Sequence, residues 1–274
     1  MRILILGSLT IDYIDGEEKP GGPALFCSMA CMALGYDYYC YGVIPRKYRW
    51  ETPKGEFLEG EGPVFQHIYK GERRLSKLIG IPPRIGGEVV LEDYDLAIIS
   101  PVFGEFEMSL LNNVVTHIPS AIDIQGFVRT ADDKGNIKYK AANRETYGIL
   151  QKARILHVSE DEYEVMENIP RGIIVVVTYG SRGCHIYLGE EKIYVPAYRV
   201  RGDPTGAGDF FTTILMAQYI VTGDILESTV YAAAATSIFI EGRLGRKVNN
   251  IRKLDLFRHE LYRRIEKIRS GVRK

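Results

Sequence analysis

The residues best placed to do chemistry lie in Asp203-Pro204-Thr205-Gly206-Ala207-Gly208-Asp209, which runs directly into the apolar stretch Phe210 to Val221. Gly206, Ala207 and Gly208 are small enough to let backbone N–H groups point at a ligand, and the apolar run predicts a helix starting there. The first N–H groups of a helix have no intrahelical partner, and its N-terminus is the positive end of the dipole. Both suit an anion such as a phosphoryl group. Asp209 would stand beside that anion, where it could take a proton from an attacking hydroxyl. An anion cradle beside a positioned base is what phosphoryl transfer from a nucleotide to an alcohol requires. A glycine turn capped by Asp is the plainer reading of the same residues. No G-x-x-x-x-G-K-[ST] occurs in the chain, so it is not a P-loop enzyme. Gly206-Ala207-Gly208 opens like a dinucleotide fingerprint, but Phe211 stands where the third glycine is needed.

A second stretch, Asp123 to Arg129, places an acid, an amide and a guanidinium within seven residues. Gln125 both donates and accepts, and Arg129 offers fixed donors that suit hydroxyls or phosphate. A solvated turn with a surface arginine is the alternative. Ala232 to Ala235 is a run of small residues that reads as tight helix packing. The five histidines, His67, His117, His157, His185 and His259, have no metal-ligand spacing and read as structural. Cys27, Cys31, Cys40 and Cys184 lack clustered partners and read as small buried apolar residues, a usage that fits a reducing cytoplasm.

At 274 residues with zero formal net charge, the chain is long enough for one large domain and carries no global field to recruit nucleic acid or membrane. No stretch approaches 18 uninterrupted apolar residues, and Arg2 to Gly7 reads as a buried first strand, not a signal peptide. Sparse Asn and Gln beside plentiful Ile, Tyr, Arg and Glu lean towards a thermophile. Arg252 to Lys274 holds nine Lys or Arg and three Asp or Glu. Ile251, Leu254, Phe257, Leu261, Ile265 and Ile268 form a helical stripe through that segment, which predicts an amphipathic helix packed on the domain. Binding of nucleic acid or membrane through its basic face is the alternative.

These residues need elements to position them. Strands are expected at 2–7, 38–44, 96–100, 121–124, 155–159 and 173–178, with a hairpin around Gly189. Helices are expected at 23–34, 106–115, 160–167, 207–221, 224–240 and 251–270. Alternation of β and α predicts an α/β fold, a mostly parallel sheet with helices on both faces, in one domain spanning 1–274. Segments 10–20 and 45–83 lack helical period and predict a small β-sheet lid. Ligands in such folds bind beyond the C-terminal strand ends. Asp12, Gln125, Ser159 and Gly180 lie just past expected strand ends and can converge on one crevice.

Asp-Pro-Thr-Gly-Ala-Gly-Asp-Phe-Phe, residues 203–211, resembles the C-terminal signature of the ribokinase-like (PfkB) carbohydrate kinases. The resemblance implies Asp209 as catalytic base and Gly206, Ala207 and Gly208 as an anion hole. Gly21-Gly22, followed by small and apolar residues to Gly35, resembles the family's first signature, and Asp12 matches its substrate-binding Asp. Thr178-Tyr179-Gly180-Ser181-Arg182-Gly183 resembles the nucleotide-binding T-x-G-x-x-G, which implies Thr178, Gly180 and Gly183 at the nucleotide. Ala235 would lie against adenine. Ser159-Glu160-Asp161-Glu162 falls where the family carries N-x-x-E, so Glu162 would help organise Mg2+ indirectly. The matches come in family order and span nearly the whole chain.

Asp123-x-Gln125-x-x-x-Arg129 and Gly22-Pro23-Ala24 are similar to the inositol-kinase-like branch. Phe26 stands where sugar kinases often have Asn and cannot hydrogen-bond a sugar hydroxyl, which favours myo-inositol over ribose or fructose. The expected activity is ATP-dependent phosphorylation of a small polyol or sugar, with Asp12, Gly22, Gln125 and Arg129 on the acceptor. A nucleoside or sugar kinase of the same family and a non-catalytic sugar-binding regulator are the alternatives. No nucleic acid or membrane partner is expected, and the lid sheet could pair with that of a second copy.

Overall fold

The computed structural model describes residues 1–70, 73–242 and 251–269. The chain opens with β1 (Arg2–Gly7), followed by the hairpin β2 (Thr10–Ile14) and β3 (Glu17–Gly21). Pro23, preset for a first helical turn, starts α1 (Pro23–Leu34). Then come β4 (Asp37–Pro45), β5 (Gly55–Gly60), β6 (Val64–Lys70), β7 (Arg73–Gly80) and β8 (Leu96–Ser100). Next are α2 (Met108–His117), β9 (Ser120–Asp123), the single turn α3 (Gln125–Val128), β10 (Arg129–Ala131), β11 (Ile137–Tyr139) and α4 (Arg144–Leu150). They are followed by β12 (Ile155–Ser159), α5 (Glu160–Tyr163), β13 (Ile174–Thr178), β14 (Cys184–Leu188) and β15 (Glu191–Val195). Helices α6 (Ala207–Thr222), α7 (Ile225–Ile240) and α8 (Ile251–Arg269) complete the described fold.

Nine strands form the main sheet, in the order β15-β14-β13-β12-β9-β8-β1-β4-β5. The run from β13 to β5 is parallel, and the β14–β15 hairpin adds an antiparallel edge. Side chains alternate between two apolar layers. Ile3, Ile5, Leu96, Ile98 and Val176 face the layer formed with α1, α6, α7 and α8. Leu4, Leu6, Ala97, Ile99 and Val175 face the layer containing α2 and α4. Strands covered on both faces must be apolar at every position, which is why their sequences read as continuous Ile/Val/Leu runs. Each fully buried Ile or Leu contributes about 1.5–3 kcal/mol. The four cysteines are free and buried in the first layer. Burial pushes their thiols up, Cys184 to about 12, so they act as packing groups.

A separate four-stranded sheet has the order β3-β2-β6-β7, with β2 and β6 parallel and the outer pairs antiparallel. The 45–83 stretch is therefore divided: β6 and β7 join β2 and β3, whereas β5 extends the main sheet beside β4. Leu254, Phe257, Leu261 and Ile265 of the C-terminal helix are buried, while Ile268 is exposed. Arg258 pairs with Glu227 and Arg264 with Glu260, so part of the basic face is paired within the protein. Residues 270–274 of the basic segment lie outside the described residues. No helix among the described residues is long and apolar enough to cross a membrane.

The segment after β8 is tied to the loop after β1 by Glu105, which is buried. Its carboxylate accepts from Ser8 Oγ at 2.8 Å and from the backbone N–H groups of Val102 and Phe103 at 3.0 and 2.9 Å. Ser8 Oγ also accepts from the Val43 N–H. Removing the carboxylate strands donors that water does not reach. Glu105→Ala should therefore lower unfolding free energy by about 2–4 kcal/mol, measured by urea denaturation.

Candidate active site

Helix α6 brings the reactive group to the crevice. It is buried from Phe210 to Ala217, so its first turn is held firmly under the strand ends. Its N-cap, Gly206, has φ 75°, in the left-handed region, and a Cβ there would drive into the ring of Phe26. Asp203 Oδ1 accepts from the N–H and Oγ1 of Thr205 and shapes the preceding turn. The Ala207 N–H donates to the Pro204 carbonyl at 3.0 Å, closing that turn. This departs from the expectation of three free amides, because Ala207 already has an acceptor.

Asp209 Oδ1 accepts from Ser100 Oγ at 2.7 Å, and Ser100 Oγ in turn accepts from Gln125 Nε2 at 3.2 Å. Burial, and then the nearby charge of Asp123, push the Asp209 carboxyl up to about 7. The Ser100 hydrogen bond, His157 and Arg129 oppose the shift. The residue is packed on most sides yet keeps partial solvent access.

Asp123 stands at the end of β9, with both oxygens engaged. Oδ1 accepts from the Gln125 N–H at 3.0 Å, and Oδ2 lies 2.7 Å from His157 Nδ1. His157 Nε2 lies 3.0 Å from Thr178 Oγ1. Burial disfavours a charged His157, but the Asp123 carboxylate outweighs it and raises the imidazole above its ordinary value. Glu162 is buried at the start of α5, where it and Ser159 form a reciprocal capping box. Burial, followed by Asp123, raises Glu162, and Arg129 opposes that shift. Arg129 Nη1 donates to the Val102 carbonyl at 3.3 Å, while its Nε is buried without a partner among the described residues.

Asp12 approaches from the small sheet and is 6% exposed. Its Oδ1 accepts from Thr10 Oγ1 at 2.9 Å and lies 3.6 Å from His67 Nε2. Gly22, at φ 93°, passes so close to Ser8 and Thr10 that a Cβ would strike backbone atoms. The first turn of α1 therefore links Asp12 to Gly206: Gly22 meets Thr10, and Phe26, one turn later, lies against Gly206.

Thr178 ends β13, and the single 3-10 turn Gly180–Arg182 follows. The turn is closed by Gly183 N–H to the Gly180 carbonyl and by Tyr179 N–H to the Gly183 carbonyl. Arg182 pairs with Glu160 and so ties this loop to α5. A groove of about 730 Å³ opens beside the turn, lined by Tyr179, Arg182, Tyr194, Arg199 and Arg264 among others.

The sequence-derived residues thus fall into connected groups, with one exception. Ala235 is 6% exposed and shares a void of about 10 Å³ with Phe210, Ile214 and Leu254. That space is too small for a nucleotide base, and on this side Ala235 serves helix packing. Three residues that tie this region together were not singled out from the sequence. His157, read as structural, bridges Asp123 and Thr178. Ser100 ends an apolar strand at a position where a hydroxyl is the only available signal. Glu105 lies in a loop with no motif.

A doubly covered parallel sheet, with a carboxylate at a helix N-terminus beneath its C-terminal strand ends, defines a ribokinase-fold phosphotransferase. The model of the pfkB family carbohydrate kinases matches residues 139–249. The chain is 25% identical to inositol 3-kinase of Arabidopsis thaliana, over 96% of this chain and 80% of the relative. Its fold matches that of a pyrophosphate-dependent kinase of the ribokinase family, complexed with a pyrophosphate analog and myo-inositol. That match has TM-score 0.69 and 18% identity and covers 93% of this chain and 98% of the other. It also matches a sugar kinase from Pyrococcus horikoshii in complex with ATP, with TM-score 0.68, 16% identity and coverage of 93% and 99%. Over residues 139–249 the chain is thus similar to the pfkB family carbohydrate kinases, and its fold is that of the ribokinase family.

The raised Asp209 carboxyl has a consequence for stability. Its folded value of about 7 lies above the ordinary 3.8, so the native state favours the protonated acid. That stabilisation is fully present below the unfolded value and is lost as pH rises through about 7. Asp209→Asn should leave thermal stability unchanged at acidic pH. At about pH 8 it should raise stability by about 1–3 kcal/mol, discounted for the carboxylate's solvent access. Thermal unfolding of the two proteins across pH reads this directly.

Proposed function

We propose that this kinase transfers the γ-phosphoryl group of ATP to a hydroxyl of a small polyol, with myo-inositol as the favoured acceptor. The observation that carries the reading is Asp209, a carboxylate at a helix N-terminus whose proton affinity is raised to near neutrality. A base poised there accepts the hydroxyl proton as the oxygen attacks phosphorus. The Gly206 and Gly208 amides, with the helix dipole, hold the charge on the transferred group.

Asp12, the backbone at Gly22, Gln125 and Arg129 hold the acceptor. The unpartnered Arg129 Nε and the buried, unpartnered Tyr48 hydroxyl supply polar groups that hydroxyls would satisfy. Phe26 packs on Gly206 and offers no hydrogen bond, so the acceptor is read by carboxylate, amide and guanidinium groups. Similarity to an inositol 3-kinase and to a kinase complexed with myo-inositol supports this choice. The small sheet of β2, β3, β6 and β7 would act as a lid carrying Asp12. Ile68 and Leu75 stand exposed and directly paired on it, an apolar contact that a second copy's lid would cover.

ATP is favoured over pyrophosphate as donor because the groove beside Thr178, Gly180 and Gly183 has the aromatic and guanidinium lining that suits a nucleoside. Among the described residues, no group of three His, Cys, Asp or Glu side chains could hold a metal by itself. This fits an ion that enters with the donor phosphates and keeps most of its waters, as Mg2+ does. Glu162, buried and fixed by its capping box, would order those waters. The ion would neutralise phosphate charge.

The test is product formation from Mg-ATP, and from pyrophosphate, with myo-inositol, ribose, fructose, adenosine and cytidine as acceptors. Turnover is expected with myo-inositol and ATP. Asp209→Ala should lower kcat by about 10²–10⁴-fold. In the wild type, kcat/KM should rise with pH through about 7 as Asp209 ionises. Preference for a ketose or nucleoside would overturn the acceptor assignment. Near-wild-type turnover in Asp209→Ala would overturn the base.

A further inference from the structure

His157 is buried between the Asp123 carboxylate and the Thr178 hydroxyl. It is 2% exposed, and Asp123 is 4% exposed. The groups facing it come from four elements: Asp123 from β9, Thr178 from β13, Glu162 from α5 and Asp209 from α6. Arg129 acts on the same acids from the start of β10. The Phe211 ring lies 5.7 Å away, and Gly208 lies beside the imidazole edge.

The geometry fixes the proton on Nδ1, because Asp123 is an acceptor 2.7 Å away that already takes the Gln125 N–H. The state of Nε2 then decides the direction of the Thr178 hydroxyl. A neutral ring accepts through Nε2, so Thr178 must turn its single O–H inward and show lone pairs to the crevice. A protonated ring donates through Nε2 to Thr178 Oγ1. The hydroxyl then has only a long bond of 3.5 Å to the Val158 carbonyl to give up before its proton can point outward. Thr178 is partly exposed, so that proton can meet a ligand.

We propose that Asp123 and His157 form a positioning relay that turns the Thr178 hydroxyl into a hydrogen-bond donor to the phosphate donor. The inference rests on the reading that the Thr178 loop faces that donor. It assigns His157 no contact with substrate. Burial alone would favour the neutral imidazole, but the Asp123 carboxylate raises it above its ordinary value and so favours the donating state. The relay and Asp209 therefore titrate to opposite effect: alkaline pH ionises the base but weakens the grip on the donor.

The experiment measures Mg-ATP and pyrophosphate affinity by calorimetry between about pH 6 and about pH 9. The proteins are wild type, His157→Gln, whose amide does not titrate, Thr178→Val and the double variant. Comparing proteins at each pH cancels the titration of the donor itself. Wild-type affinity should fall about tenfold relative to His157→Gln as pH rises, the worth of one charge-assisted hydrogen bond. In the Thr178→Val background the same ratio should be flat. A ratio that still varies there would mean that His157 acts by charge through space, and the relay would be overturned. A flat ratio between wild type and His157→Gln, with Thr178 intact, would overturn it as well.

If His157→Gln does not fold, Asp123→Asn serves, with the His157 ring followed by NMR. Its titration midpoint and the pH of donor release should move down together, and separation of the two would sink the proposal. Acceptor turnover is recorded in parallel. Turnover with a flat ratio overturns the relay alone, whereas wild type that neither binds a donor nor turns over overturns the kinase reading with it.

Discussion

Helix α6 enters the core with a carboxylate on its first turn, and the crevice is arranged around the electrostatic penalty of that placement. The helix is apolar on nearly every side, so it can be buried along much of its length and cannot slide. Its N-terminal dipole favours an anion, but Asp209 is hemmed in by protein and shares the space with Asp123 and Glu162. Three acids in a poorly solvated site would repel one another by several kcal/mol if all were ionised without counter-charge. The neighbouring groups answer that constraint. His157 is clamped to Asp123, Arg129 faces Glu162 and Asp209, and Ser100 donates to Asp209. What remains is a carboxyl titrating near neutrality, where a base is neither permanently protonated nor too weak to accept a proton.

The same groups hold the strand ends in register. Ser100 ends β8, Asp123 ends β9, His157 lies within β12 and Thr178 ends β13, and these strands are adjacent in the sheet. A parallel sheet delivers neighbouring strand ends to one edge, so short side chains suffice to connect them across 2.7–3.2 Å. Backbone geometry, not long flexible side chains, sets the distances, and little side-chain entropy is lost in forming the network.

What could be read from the sequence follows from this. Strands buried on both faces are unmistakable as apolar runs, and Pro23 and the Gly-Ala-Gly turn mark helix starts, so the order of elements and the location of Asp209 were legible. The division of 45–83 was not. Nothing in Gly55–Gly60 says whether its partner is β4 or a strand of the small sheet, because edge pairing is decided by tertiary packing. His157 was invisible for a related reason. Its partners lie 34 and 21 residues away, and only the sheet order brings them together. Ala235 shows the ambiguity of a run of small residues, which is compatible with a ligand cleft or with close helices; Phe210 and Leu254 pack beside it.

Phe26 shows how one side chain can be fixed by packing beside the turn that presents Asp209. Its ring fills the space that a Cβ at Gly206 would need, and it meets Phe239 edge-on at 6.1 Å. Phe239 in turn stacks on Phe210, the residue after Asp209, with ring centroids 4.5 Å apart. Phe26 is thus part of the support beneath the helix that carries Asp209. A smaller polar residue at this position would open a gap under Gly206 and loosen the turn that presents Asp209, at about 3–5 kcal/mol for loss of a buried aromatic and less here because Phe26 is only partly buried. Restoring a sugar-type contact at this position would require rebuilding the aromatic stack as well. On the proposed reading, recognition of hydroxyls would fall to Asp12 on β2, Gln125 on α3 and Arg129 on β10.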